Sequence, residues 1–350
     1  LKHPGSTGLS TRQSLPIVSM ARWLATASLV SSLSLTRAQS AMMMADIKTC
    51  GDVKQFYQQS ACCGSPSKAL EGVSACPYNF DKPLCSVAEP QAPRDLSEGA
   101  TGEKVPKAAT LNDAQAQAMP LANVHFHLGG EHKSNSYNVD TDSIAYDAAH
   151  SRRLAGNRRL ASDVRPGFMC PTSGLTAEQL APYAFSHCKG QTEVGKSYEV
   201  HYVHSSAGYH PEDLAGQEED LIADGLGGAA NGRGQLNPMI VVEAQVYQIV
   251  QNAQNVTDLL HGWTVVGHSN AVMYPGSTTG PSHNNEICSP YAITWHVDKE
   301  CHQVSPESFD KLCKDMNEMY HLESDLYPHG SRKLVDPRWV VKSEYVLPLA

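Results

Sequence analysis

The chain has no Cys-x-x-Cys pair and no Cys/His spacing of the zinc-finger kind, so a structural thiolate metal site is not expected of its ten cysteines. It shows no evident internal repeat, which suits a single domain. It has no surplus of positive charge: 27 Lys and Arg against 36 Asp and Glu leave a formal charge of -9, which argues against a nucleic-acid partner. The one local basic cluster, Arg152-Arg153 with Arg158-Arg159, reads as part of a solvated insertion. Beyond residue 40 no run is long and apolar enough to span a bilayer. An apolar fraction of 41% and a charged fraction of 18% are ordinary for a folded soluble chain, so neither disorder nor a membrane bundle is suggested. No histidine stands between His3 and His125, although the chain has sixteen.

What is present points first to export. From Met20 a basic residue, Arg22, precedes an apolar stretch from Leu24 to Leu35 and small residues at Ala38 and Ser40. That is the layout of a secretory signal cleaved near Ser40, with an apolar part too short for a membrane helix. Residues 1–40 therefore read as a leader. The cysteines, at 50, 62, 63, 76, 85, 170, 188, 288, 301 and 313, are even in number and suit disulfides in an oxidising compartment. Cys170 and Cys188 flank one loop-like stretch, and proximity suggests that they staple it. Asn255-Val256-Thr257 is a glycosylation acceptor and agrees with a secreted or cell-surface location.

Residues 41–118 read as a Cys-rich lead-in followed, from 91, by a polar surface connection with room for a short helix. From 119 to 350 the chain reads as one core. Runs at 123–128, 197–204, 239–247, 263–267 and 291–297 are short and β-branched, as strands are. A long insertion at about 133–195 separates the first two. Residues 305–321 open with Ser305 and Pro306 and continue with helical apolar spacing. The fold class expected is α+β and sheet-dominated: a central, twisted, mostly antiparallel sheet with peripheral helices.

Two of these strands carry chemistry. In a strand, residues two apart project from one face, so His125 and His127 point together, near enough to share an ion. In the second, Glu199, His201 and Val203 share a face, with His204 on the other. A catalytic zinc takes three protein ligands and keeps a position for water, and His201 would complete the set, with His204 the competing ligand. Glu199 is placed to fix the second ring nitrogen of His201. Half-buried strand histidines are the bland reading of both runs. On their own, the turn-rich 274–281 and the strand 292–297 suggest no chemistry.

Together these stretches resemble carbonic anhydrases, both the alpha class and, more closely, the delta class. His125-Phe126-His127-Leu128-Gly129 is similar to the alpha-class His-Phe-His-Trp-Gly, and Glu199 to His204 to Glu-Leu-His-Leu-Val-His. Tyr274 to Pro281 resembles the alpha-class threonine loop shortened by one residue, and Thr294-Trp295 matches a downstream pair. The opening from Asn123 to His132 suits the delta class.

The resemblance implies an alpha-carbonic-anhydrase-like fold and reversible hydration of CO2 to bicarbonate and a proton by attack of zinc-bound hydroxide. Its metal ligands would be His125, His127 and His201, with zinc as cofactor and cobalt or cadmium as substitutes. Glu199 and Asn123 would support the ligands, and Thr278 would orient the nucleophile while donating to Glu131. Because the loop is one residue short, Thr279 competes with Thr278 for that role, Thr278 being the first of the pair. Val203, Val241 and Trp295 would line the CO2 pocket. The shuttle position is empty, leaving His132, His150, His283 or a buffer molecule to carry the proton. Other readings remain. A cupin barrel fits His125-x-His127 with Glu131, but Met119 stands where its glycine belongs. An amidohydrolase would need alternating strands and helices. A silent, carbonic-anhydrase-like binding protein would usually have lost a zinc histidine.

Overall fold

The computed structural model describes residues 89–117, 119, 121–154, 164–205, 239–262, 270–277, 292–320 and 322–349. By compactness the chain divides into Leu1–Ile47 and Lys48–Ala350, and every described residue belongs to the second unit. The leader, Cys50, Cys62, Cys63, Cys76, Cys85 and Cys288, Arg158-Arg159, the run 263–267, Thr278, Thr279 and His283 lie outside the described residues, as does the side chain of His150.

In chain order the elements are α1 (Asp113–Gln117), β1 (Leu121–Leu128), α2 (Thr141–Leu154), β2 (Ser197–Ser205), β3 (Ile240–Gln254), β4 (Ala271–Gly276), β5 (Ile293–Val304), α3 (Pro306–Tyr320) and β6 (Leu347–Pro348). Three single 3-10 turns lie between α3 and β6. The six strands form one sheet in the order β1-β2-β3-β5-β4-β6. Every pairing is antiparallel except β3 with β5. The sheet is therefore mixed and mostly antiparallel, as expected, and among the described residues β1 and β6 stand at its two ends. No helix among the described residues is long and apolar enough to cross a membrane.

Both faces of the sheet are covered, and alternation along each strand decides what goes where. Val124, Phe126, Val200, Tyr202 and Tyr247 enter the larger core together with Phe309, Leu312, Cys313, Met316 and Tyr320 of α3. That helix begins where the sequence predicts. Ser305 Oγ accepts the Ser308 N–H at 3.2 Å, and Pro306 occupies the first turn. Its apolar residues recur at helical spacing, so one face packs on the sheet, with Phe309 edge-on to Phe126 at 5.2 Å between centroids. The smaller core on the other face holds Val203, Val242, Ala244, Tyr274 and Trp295.

Two expectations are corrected. Cys170 pairs with Cys301 and Cys188 with Cys313, across 131 and 125 residues, so the pair near in sequence is not bonded to itself. Each bridge ties the stretch after α2 to a later element, β5 or α3. The connection expected at the surface from residue 91 starts buried: Gln91 donates its N–H to the Trp339 carbonyl at 2.8 Å, and Arg94 Nη1 donates to Val341 at 2.7 Å. Polar side chains hid this because the partners are backbone carbonyls far along the chain. The short helix of that stretch is present as α1.

Candidate metal centre

Antiparallel register brings the two histidine strands into line. His125 stands opposite His201, and His127 opposite Glu199. Directly paired residues share a face, so three imidazoles converge, with ring centroids 4.7–5.1 Å apart. All three are nearly inaccessible to solvent. The turn after β1 is set by Gly129 at φ +76°, where a Cβ would stand 2.8 Å from the Gly167 backbone. It returns Glu131 and His132 to the same site.

Each imidazole has one nitrogen held by an acceptor. His125 Nδ1 meets Asn123 Oδ1 at 2.7 Å, and the Asn123 amide in turn donates to Asp325 at 3.2 Å, which settles which end of Asn123 accepts. His201 Nε2 donates to Glu199 Oε1 at 2.7 Å. His127 Nδ1 lies 3.3 Å from the Gly330 carbonyl and 3.5 Å from Glu131 Oε1. These contacts put the protons on the outer nitrogens and leave lone pairs on His125 Nε2, His127 Nε2 and His201 Nδ1. Burial, helped by the neighbouring imidazoles, drives the pKa of His125 far down. Burial also takes His127 to about 3, against the pull of Glu131. Both rings are therefore neutral near neutral pH.

His125 Nε2 and His201 Nδ1 then face each other 3.2 Å apart as two lone pairs, an arrangement that repels unless a cation lies between them. A tetrahedral zinc with Zn–N near 2.0–2.1 Å spaces its ligands by about 3.3 Å, so His125 Nε2 and His201 Nδ1 are spaced as two ligands of such an ion would be. Side-chain groups able to hold a metal recur here as His125/His127/His329, His127/Glu131/His201 and His132/Glu199/His201. In the last, the carboxylate is already committed. Glu199 Oε1 also accepts from His132 Nδ1 at 2.8 Å, and Oε2 accepts the His132 backbone N–H at 3.0 Å. Burial raises the Glu199 carboxyl pKa, but attraction and hydrogen bonds from His132 and His201 outweigh it and hold it well below the usual range.

Glu131 accepts the Arg332 N–H at 3.0 Å. Its carboxyl also sits below the ordinary value, burial being outweighed by His127 and Arg332. The residue expected to bridge Glu131 to the nucleophile, Thr278, lies outside the described residues. Ser277, just before it, takes a hydrogen bond from Trp295 Nε1 at 3.0 Å. Trp295 and Val203 stand on the His201 face, the indole 5.2 Å from the imidazole. Val241 does not. It pairs with His204 on the opposite face and packs with Leu111, Ala116 and Met119, while Val242 takes the place beside Val203. His132 is fully buried, with one ring nitrogen held by Glu199 and the other 2.6 Å from Tyr274 Oη.

Sequence reasoning missed the stretch from Asp325 to Arg332. His329 bridges alongside His127, is half-exposed, stacks on His125 at 5.0 Å and bonds Asp325 at 3.0 Å. Only its histidine marked it, because the segment has no strand or helix period and acts largely through backbone carbonyls.

A family model described as Delta carbonic anhydrase matches residues 116–308. No curated protein sequence matches the chain. Among solved structures, an alpha-carbonic anhydrase from Thermovibrio ammonificans bound to the inhibitor sulfanilamide is similar at 11% identity, over 71% of this chain and 87% of that one, with a TM-score of 0.22. A halotolerant carbonic anhydrase from Dunaliella salina is similar at 13% identity, over 77% and 90% of the two chains, with a TM-score of 0.25. Since the family match spans more than half of the 350 residues and takes in β1, β2 and β5, this chain belongs to the delta carbonic anhydrase family.

Proposed function

We propose that the chain hydrates CO2 reversibly to bicarbonate and a proton at a zinc ion held by His125 Nε2, His127 Nε2 and His201 Nδ1. The observation that carries this reading is the pair of facing imidazole nitrogens, 3.2 Å apart, whose opposite ring atoms are engaged by Asn123 and Glu199. Three neutral ligands leave a bound ion's charge uncompensated. Zinc in such a set supplies a Lewis-acid charge that makes a water acidic near neutrality, the behaviour known for this enzyme class.

The chain's own residues do the rest. Asn123, Glu199 and the Gly330 carbonyl hold the three rings so that the ligand lone pairs converge. Glu131, anchored by the Arg332 N–H, is the acceptor for Thr278, which orients the attacking oxygen toward the carbon of CO2. Val203, Val242 and Trp295 offer the small apolar substrate a dry wall. The proton leaves by a route to which we assign no residue. Cobalt or cadmium would suit the same ligands. The signal-like segment from Met20 and two long-range disulfides support export to an oxidising space, with the domain core from 119 to 350.

The test is stopped-flow CO2 hydration with a pH indicator on the zinc-loaded protein. Hydration well above the uncatalysed rate is expected, abolished in His201→Ala and retaining its metal in His329→Ala. A folded, zinc-loaded protein no faster than buffer would overturn the reading. So would a His201→Ala variant with full activity.

A further inference from the structure

The far face of the sheet holds a second convergence of ligand-type side chains. Glu243 lies in the middle of β3, paired with Tyr202 on one side and His296 on the other, and is wholly buried. Its Oε1 is 3.7 Å from His296 Nδ1, and its Oε2 is 3.7 Å from His204 Nε2. Both separations exceed a hydrogen bond. None of these four atoms has a hydrogen-bond partner among the described residues.

The reason lies on the other side of each ring. His204 Nδ1 is 3.2 Å from the Met119 carbonyl, and His296 Nε2 is 2.7 Å from that of Leu111. A carbonyl only accepts, so each imidazole carries its proton there and turns a lone pair toward the carboxylate. Acceptors therefore face acceptors in a dry interior. Asp113, in the first turn of α1, adds a second carboxylate: its oxygen, one from Glu243 and a His296 nitrogen lie within 4.8 Å of one another. Gly262 leaves room, for a Cβ there would sit 2.6 Å from Glu243 Oε2.

We propose that Glu243, His296 and Asp113, with His204 beside them, form a second, structural site for a divalent first-row transition cation such as zinc. Mixed imidazole and carboxylate donors select that class over calcium or magnesium, which take oxygen. Alternation separates the site from the first: His201 and His204 project to opposite faces of β2, as Trp295 and His296 do on β5. The ion would clamp α1 and its flanks to the sheet through the same residues that hold the Leu111 and Met119 carbonyls.

Elemental analysis after exhaustive dialysis should find two zinc equivalents in the full chain and one in Glu243→Gln or His296→Ala. Those variants keep CO2 hydration per protein chain, while His201→Ala keeps one zinc and loses hydration. Where a variant does not fold, cobalt titration of the metal-stripped wild type decides. Two spectrally distinct equivalents are expected, the second raising the thermal midpoint. Saturation at one equivalent would overturn the proposal, the cluster then being a proton-sharing His–Glu–His network. Two equivalents that both persist in folded Glu243→Gln would overturn it equally. A single zinc lost in His201→Ala leaves the first site standing and sinks the second.

Discussion

Replacing Glu199 by Gln removes one charge from the wild-type chain and changes almost no volume. The wild-type carboxylate accepts three donors on two oxygens: His201 Nε2–H, His132 Nδ1–H and the His132 backbone N–H. A glutamine offers one carbonyl oxygen and an NH2 group that can only donate. If its oxygen stays with the imidazoles, the NH2 meets the His132 N–H, leaving a buried donor unpaired at about 1–3 kcal/mol. If the amide is turned, the NH2 donates to His201 Nε2, and the ring must move its proton to Nδ1. That is the atom facing His125 at 3.2 Å, so the lone pair needed for a metal is lost. Loss of such a supporting acceptor typically weakens metal binding about 10- to 100-fold, or about 1.4–2.7 kcal/mol. The expected result is a zinc dissociation constant raised by that factor in competition with a chromophoric chelator, with the fold intact by circular dichroism. An affinity within twofold of the wild type would refute the claim that Glu199 sets the His201 tautomer.

Three further outcomes follow from the same geometry. Val242→Phe should lower kcat/KM for CO2 at least about tenfold with metal retained, since the ring fills the space beside Val203 and Trp295. Val241→Ala should cost stability and leave the kinetics alone, and the reverse pattern would misplace the pocket. The metal-stripped protein should lose stability with acid in two stages. The folded pKa of His127, about 3, and that of His125 lie below the unfolded value near 6.5. Acid therefore protonates the unfolded chain first, so stability is full above pH 6.5 and falls below it, by about 2 kcal/mol from His127 between pH 7 and 5. Glu199 and Glu131, with folded values below the unfolded carboxyl, add a further loss below about pH 4.5, as the pH falls through their folded values. Denaturant titrations at stepped pH measure this, and a flat profile from 7 to 5 would contradict it.

How much was legible depended on whether a signal was local. His125-x-His127 and Glu199-x-His201 declare their faces because strand side chains alternate with period two, and the antiparallel pairing of β1 with β2 brings those faces together. Ser305-Pro306 and the spacing from Phe309 to Tyr320 declare α3 in the same way. The period says nothing about which of two adjacent valines looks inward, and only register against β2 put Val242 on the His201 face and Val241 on the other. Local proximity misled on Cys170 and Cys188, whose partners lie more than a hundred residues downstream.

By itself, then, the sequence determined the strand-borne histidines, the face that Glu199 shares with His201, and the sheet-dominated class, because each rests on side-chain alternation within a few residues, whereas Asn123 was marked only by the family resemblance. Tertiary structure alone decided the disulfide partners, which valine shares the His201 face, the Gly330 carbonyl behind His127 and the meeting of Glu243 with His204 and His296. Those contacts join segments distant in the chain, and backbone carbonyls and sheet register leave no trace in residue type.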